Sequence, residues 1–182
     1  MAWIHPFGDG NGRTARLLEF RLLLSGGVPD VAAHLLSNHY NNTRTEYYRQ
    51  LDLSSLERDP LPFVRYALQG FADSLREQVE MIKAQQLAVH WANHVYATIP
   101  GHTPASARQR HLVLDLPANA PTPMAAVPSL TPRLAREYAR KTEKNLRRDL
   151  HRLRELELVR ITPEGALPNI ELLRAFLPLL QG

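Results

Sequence analysis

Three glycines, at positions 8, 10 and 12, stand just ahead of the apolar run Leu17-Leu18-Glu19-Phe20-Arg21-Leu22-Leu23-Leu24. Glycines at that density oppose regular structure, whereas the run that follows favours helix. The chain must therefore enter a helix from a tight loop near Arg13. Backbone amides at such an entry have no partner inside the helix, and the helix dipole adds positive potential there. The outcome is a cradle for an anion of phosphate type. Arg13 and Arg16, three apart, share a helix face and can reach an anion's outer oxygens as bidentate donors. Asp9 is a hard oxygen ligand that suits Mg²⁺ bridging phosphates. His5 offers an imidazole that can take a proton from an incoming hydroxyl. The plain alternative is a capped helix with a surface histidine and two solvated arginines.

The predicted first helix is apolar at Ala15, Leu17, Leu18, Phe20, Leu22, Leu23 and Leu24. That is wider than one amphipathic face and predicts burial on most sides. Gly26-Gly27 predicts a C-terminal cap, with Pro29 fixing the turn. A second segment, 31–40, follows with Asp30 as its cap. A break is open at Asn41-Asn42-Thr43 before helix continues towards Leu53. From Asp59-Pro60, a long helix runs towards Ala97, with Leu61, Val64, Leu68, Phe71, Leu75, Val79 and Ile82 as its core stripe. It is expected to bridge two halves, 1–100 and 101–182. Four histidines, His34, His39, His90 and His94, have no motif around them. His90 and His94 have zinc-compatible spacing but no third ligand.

Proline-rich Leu116-Pro117-Ala118-Asn119-Ala120-Pro121-Thr122-Pro123 reads as loop. Around it, helices are expected over 104–115, 131–140 and 143–157, the last two capped by Thr131 and Thr142. A short hairpin over Val159 to Pro168 and a final helix over 170–180 close the chain. Charge is uneven. The whole chain carries +4, but between Thr131 and Arg160 ten Lys/Arg face five Asp/Glu, a net of +5. The basic helix 143–157 thus has two readings. Lys144, Arg147, Arg148 and Arg152 can contact DNA phosphates and bases. Alternatively, Arg148 pairs with Asp149 or Glu155 and the module positions a protein target. The interspersed acids tilt the balance to the second.

The absence of cysteine removes disulfides and thiolate nucleophiles, which is compatible with a cytoplasmic setting. No apolar run approaches the ~20 residues of a membrane-spanning helix, so no membrane partner is expected. The first ten residues hold no signal-type apolar core.

The stretch His5-Pro6-Phe7-Gly8-Asp9-Gly10-Asn11-Gly12-Arg13-Thr14-Ala15-Arg16 resembles the motif of the Fic (Fido) family, His-x-Phe-x-(Asp/Glu)-Gly-Asn-Gly-Arg-x-x-Arg, at every fixed position. At about 5% average residue usage, eight such matches arise by chance on the order of once in 10⁸ chains of this length. The resemblance implies an all-α fold and transfer of AMP from ATP, with Mg²⁺, to a Ser, Thr or Tyr hydroxyl of a protein. It implies His5 as general base, with Asn11 and Arg13 in the catalytic set, and Asp9 as the magnesium ligand. Gly10, Asn11, Gly12, Arg13 and Arg16 would hold the phosphates, and Phe7 would anchor the loop in the core. Tyr48, in Arg44-x-x-Tyr47-Tyr48-x-x-Leu51, is the candidate for the adenine pocket, with simple packing as the other reading. Another nucleotide donor such as UTP stays open.

In the family, helices and a target-binding flap precede the motif, so a partial Fic domain truncated at its N-terminus is expected. Its inhibitory pattern, Ser/Thr-x-x-x-Glu-(Gly/Asn), is not found, which implies an inhibitory helix elsewhere or on a partner. The second half resembles, less specifically, a winged helix-turn-helix. The fold expected is all-α, a partial Fic-type domain followed by a winged-helix module with a small hairpin. The alternatives are a DNA-binding regulator with a vestigial Fic half, or an inactive fragment.

Overall fold

The computed structural model describes residues 4–174. It is mostly helical, with one small antiparallel hairpin, and divides into two compact units, Met1–Ile82 and Lys83–Gly182.

The first unit opens with α1 (Asn11–Ser25), which ends as its glycines predict. Gly27 takes a left-handed φ of 86°, its amide donates to Leu24, and the Val28 amide donates back to Leu23. The expected single segment 31–40 is instead two helices, α2 (Asp30–Ala33) and α3 (Leu35–Asn42). Pro29, not Asp30, stands at the cap of α2, and the Asp30 carboxylate accepts from the adjacent Val31 amide at 2.8 Å. Helix breaks again at Thr43, and α4 runs Arg44–Glu57. Next comes α5 (Leu61–Thr98), 38 residues long, in which the boundary between the units falls.

Leu36, Tyr40, Tyr47 and Ala67 form the core of this unit, with Leu23, Leu51, Phe63, Tyr66 and Phe71 packed around them. It is an aromatic cluster: Tyr40 and Tyr47 ring centroids lie 4.7 Å apart, and those of His39 and Tyr66 lie 4.8 Å apart with the rings tilted. Two expectations need correction. No residue of α1 is buried, and Leu17 and Leu22 are about two-thirds exposed or more (67% and 71%). Of the stripe expected inside on α5, Phe71 packs on the core, but most of the rest is rotated outward. Leu61, Val64, Leu68, Val79 and Ile82 are exposed, while Phe63, Tyr66, Ala67 and Gly70 turn inward. The close approach at Gly70 sets that rotation, because a Cβ there would stand 2.0 Å from His39 Nε2. Only glycine lets the imidazole lie against the helix.

The second unit holds the larger core. Trp91 and Val95 of α5, and Ile99 just beyond its end, contribute to it. So do Leu112 and Val113 of α6 (Pro104–Asp115), Leu134 and Tyr138 of α7 (Pro132–Tyr138), and Leu146, Leu150 and Leu153 of α8 (Glu143–Glu155). Thr131 caps α7 as expected, its hydroxyl accepting from the Leu134 amide at 3.2 Å. Thr142 stands at the cap of α8, but its hydroxyl accepts from the Asn145 side chain rather than from an amide. Strands β1 (Val159–Thr162) and β2 (Gly165–Pro168) pair antiparallel, Val159 opposite Pro168. The proline-rich loop also adds a bridge: Thr122 and Ala166 exchange both amide bonds, at 2.7 and 2.9 Å. Gly165 permits it, since a Cβ there would meet the Thr122 carbonyl at 2.0 Å.

The acid that fixes α8 is Asp149. It is buried and accepts from Arg108 Nε at 2.7 Å, Gln109 Nε2 at 2.9 Å and the Tyr138 hydroxyl at 2.9 Å. The expected pairing of Arg148 with Asp149 is therefore replaced, because the carboxylate points inward to these donors. Glu155, the other expected partner, lies 3.7 Å from Arg152. Of the final helix expected over 170–180, α9 (Glu171–Arg174) is described, and the rest lies outside the described residues. Among the described residues, no helix is long and apolar enough to cross a membrane.

Candidate active site

Residues 5–16 build a loop that closes on itself through contacts four residues apart. The Asn11 side chain clamps Phe7 from both sides. Its Oδ1 accepts from the Phe7 amide at 3.1 Å, and its Nδ2 donates to the Phe7 carbonyl at 2.7 Å. Gly10 takes φ 84° as the residue before the helix, a left-handed conformation that glycine adopts without steric cost. Its carbonyl accepts from the Thr14 amide at 2.9 Å and from the Thr14 hydroxyl at 3.0 Å. The first of these is the opening intrahelical bond of α1, and of the four amides ahead of it Gly10 donates to Asp9. The amides of Asn11, Gly12 and Arg13 have no intrahelical acceptor to use.

Asp9 folds back over this end. Oδ1 accepts from the Gly10 amide at 2.6 Å, and Oδ2 pairs with Arg13 Nη2 at 2.8 Å. The carboxylate side chain is 92% exposed, so the pair is a solvated one, worth less than about 1 kcal/mol and easily exchanged for a ligand. His5 is exposed and takes φ 42°, a left-handed conformation for a residue with a side chain. Such a backbone costs on the order of 1–3 kcal/mol and is found where neighbouring structure holds a functional turn.

The two arginines diverge. Arg13 engages Asp9. Arg16 lies among Gly12, Glu19 and Tyr47, with its Nη1 3.8 Å from where a Cβ on Gly12 would stand. Burial pushes the Tyr47 phenol up, and the Arg16 guanidinium pulls it partly back. Burial likewise raises Glu19, against the Tyr40 hydroxyl, which donates to it at 2.9 Å, and Arg16. Direct bonds thus join Asp9, Gly10 and Arg13, Asn11 is bonded to Phe7, and Arg16 sits one turn on. Tyr48 is half exposed (50%), lies edge-on to Tyr47 at 5.3 Å and has Arg44 over its ring at 5.8 Å. No bond among the described residues ties it to the loop. Phe7, expected in the core, is 52% exposed, because its backbone rather than its ring is what Asn11 holds.

Thr14, Glu19 and Tyr40 support this site and were not read from the sequence. Thr14 follows Gly10 by four, and Glu19 follows Arg16 by three inside an apolar run. A lone acid in such a run was the available signal.

Among the described residues, no group of three or more His, Cys, Asp or Glu is placed to hold a metal by itself. Mg²⁺ is commonly bound by one or two carboxylates, with substrate phosphates and water completing the shell. A single exposed Asp9 beside free amides fits that mode.

The loop and the start of α1 are similar to the corresponding segment of a known family. The Fic/DOC family profile matches residues 1–23. The Protein adenylyltransferase fic-1 of Caenorhabditis elegans is 39% identical over 80 residues, which cover 44% of this chain and 14% of that protein. The Protein adenylyltransferase Fic of Nematostella vectensis is 39% identical over 66 residues, 36% of this chain and 14% of that protein. That of Drosophila mojavensis is 46% identical over 63 residues, 35% of this chain and 11% of that protein. The matched part is therefore a small share of these relatives. No solved structure matches the chain.

Proposed function

We propose that the chain carries the catalytic loop of a protein adenylyltransferase, which moves AMP from ATP to a Ser, Thr or Tyr hydroxyl of a protein. The observation that carries this reading is the Gly10-Asn11-Gly12 entry to α1. It leaves three amides free for phosphate oxygens within the segment that matches the Fic/DOC family.

His5 takes the proton of the target hydroxyl, the hydroxyl oxygen bonds to the α-phosphorus, and the bond to the pyrophosphate oxygen breaks. The amides of Asn11, Gly12 and Arg13 donate to phosphate oxygens as charge builds. Arg13, released from Asp9, and Arg16 bind the outer phosphates, and Asn11 keeps the loop in shape through Phe7. Asp9 would hold Mg²⁺, which when bound supplies neutralisation of phosphate charge. Tyr48 supplies a half-exposed ring on which a base can stack.

Incubation with ATP labelled at the α-phosphate, alone and with a cell lysate, tests the reading. His5→Ala is expected to lower transfer of label at least about a hundredfold while ATP binding persists. Undiminished labelling by the variant overturns the role of His5.

A second reading concerns the other unit, which we propose is a winged-helix module of α6, α7, α8 and the hairpin. Lys144 and Arg148 are exposed on α8, and no ion pair among the described residues engages either. Free cations on one helix favour a polyanion, and DNA is the one the module suits. Binding should then fall with salt at a slope of about −0.9 per phosphate contact. Flat, weak binding returns the module to positioning a protein target.

A further inference from the structure

At the start of α8 lies a cleft of about 560 Å³, within the size range of small-molecule sites. Much of its lining is apolar, from Met124, Pro128, Leu146, Leu150 and the Tyr138 ring. The Tyr138 hydroxyl is turned away to Asp149, so the ring presents carbon to the space. The rim is charged. Glu143 and Arg147 satisfy each other at 2.7 Å. Lys141 remains, exposed and with no ion-pair partner among the described residues. Thr142 also lines the cleft, and its hydroxyl accepts from the Asn145 side chain rather than from a backbone amide. Its own proton is thus free to donate.

An apolar pocket of this size whose one unbalanced charge is a cation selects a ligand with a matching split. We infer that this cleft binds a small amphipathic carboxylate, its hydrocarbon body between Met124 and Leu146 and its carboxylate at Lys141 and Thr142. A neutral hydrocarbon would leave the ammonium partially desolvated without an acceptor, and a cation would face like charge. An apolar side chain of a protein partner could fill the walls but would leave the lysine unmatched. Nothing in this assignment depends on nucleotide transfer at the other unit.

The test uses the full chain with methyl-labelled Met and Leu, titrated with phenylbutyrate, phenylbutanol and phenylbutylamine, three probes with the same body and different heads. Phenylbutyrate is expected to shift the methyls of Met124, Leu146 and Leu150, and to bind at least roughly tenfold more tightly than the alcohol. Lys141→Glu, at an exposed position, should erase that preference while the unliganded spectrum stays folded. Equal affinity for the three probes would mean an apolar hollow without head-group selection and would overturn the assignment. So would a preference for the alcohol, which points to an apolar protein side chain, or shifts confined to exposed leucines such as Leu22 and Leu68.

Discussion

The two units treat a carboxylate inside the fold in opposite ways. In the first, Glu19 is partly buried on α1 with one hydroxyl donor, Tyr40, and burial outweighs its help, raising the carboxyl above its ordinary range. In the second, Asp149 is buried on α8 and takes hydrogen bonds from a guanidinium, an amide and a phenol. The difference extends beyond these residues. The bonds that shape the glycine loop, Asn11 to Phe7, Arg13 to Asp9 and Thr14 to Gly10, all span four residues. Those that shape the second unit reach much further, as Arg108 to Asp149 does across 41. One unit thus has a locally encoded site on a helix with no buried residue. The other has a core fixed by a long-range polar clamp. Local encoding keeps the loop's geometry independent of how completely its helix is packed.

The clamp gives the largest expected effect. Asp149→Ala leaves the Arg108 guanidinium and the Tyr138 hydroxyl without their acceptor, and stranding a buried charge costs about 3–5 kcal/mol. Urea unfolding should show the second unit losing most of its stability, with amides of α6 and α8 exchanging first. A loss below about 1 kcal/mol, the worth of an exposed pair, would break the contrast between the units.

The same distinction explains what the sequence could convey. The loop was legible because its spacing is the structure: glycines before an apolar run specify a helix entry, and Asn11 reaches only one turn. The hairpin and α7 were legible for the same reason, through turn residues and a Thr-Pro start. The inward face of α5 was not. Leu61, Val64 and Leu68 make a better apolar stripe than Phe63, Tyr66 and Gly70, and only the approach of His39, 31 positions earlier in the chain, decides between them. The burial of α1 was misjudged on similar grounds, because apolar content shows what a helix can cover and not what covers it. Asp149 reads as a surface acid in a basic helix until Arg108 and Tyr138 are brought to it.

Glu19 gives the smaller and sharper test. Its carboxyl is raised, so the folded chain holds this proton more tightly than the unfolded chain does. Below the ordinary carboxylate value, both states are protonated and the contribution of Glu19 is fully present. As pH rises through the raised value, the folded state must ionise a partly buried group, and that contribution is lost. Glutamine has no proton to lose there, and its carbonyl can still accept from Tyr40. Glu19→Gln should therefore be at least as stable as the parent at pH 7, by no more than about the 1 kcal/mol of a single hydrogen bond. The gap should close near about pH 4, where the parent carboxyl is also neutral. Thermal midpoints at the two pH values measure it. A variant less stable than the parent at neutral pH would mean that Arg16 stabilises the ionised carboxylate. The first unit would then hold an ion pair of the kind that fixes the second, and Arg16 would have to give up that pair before it could bind a phosphate.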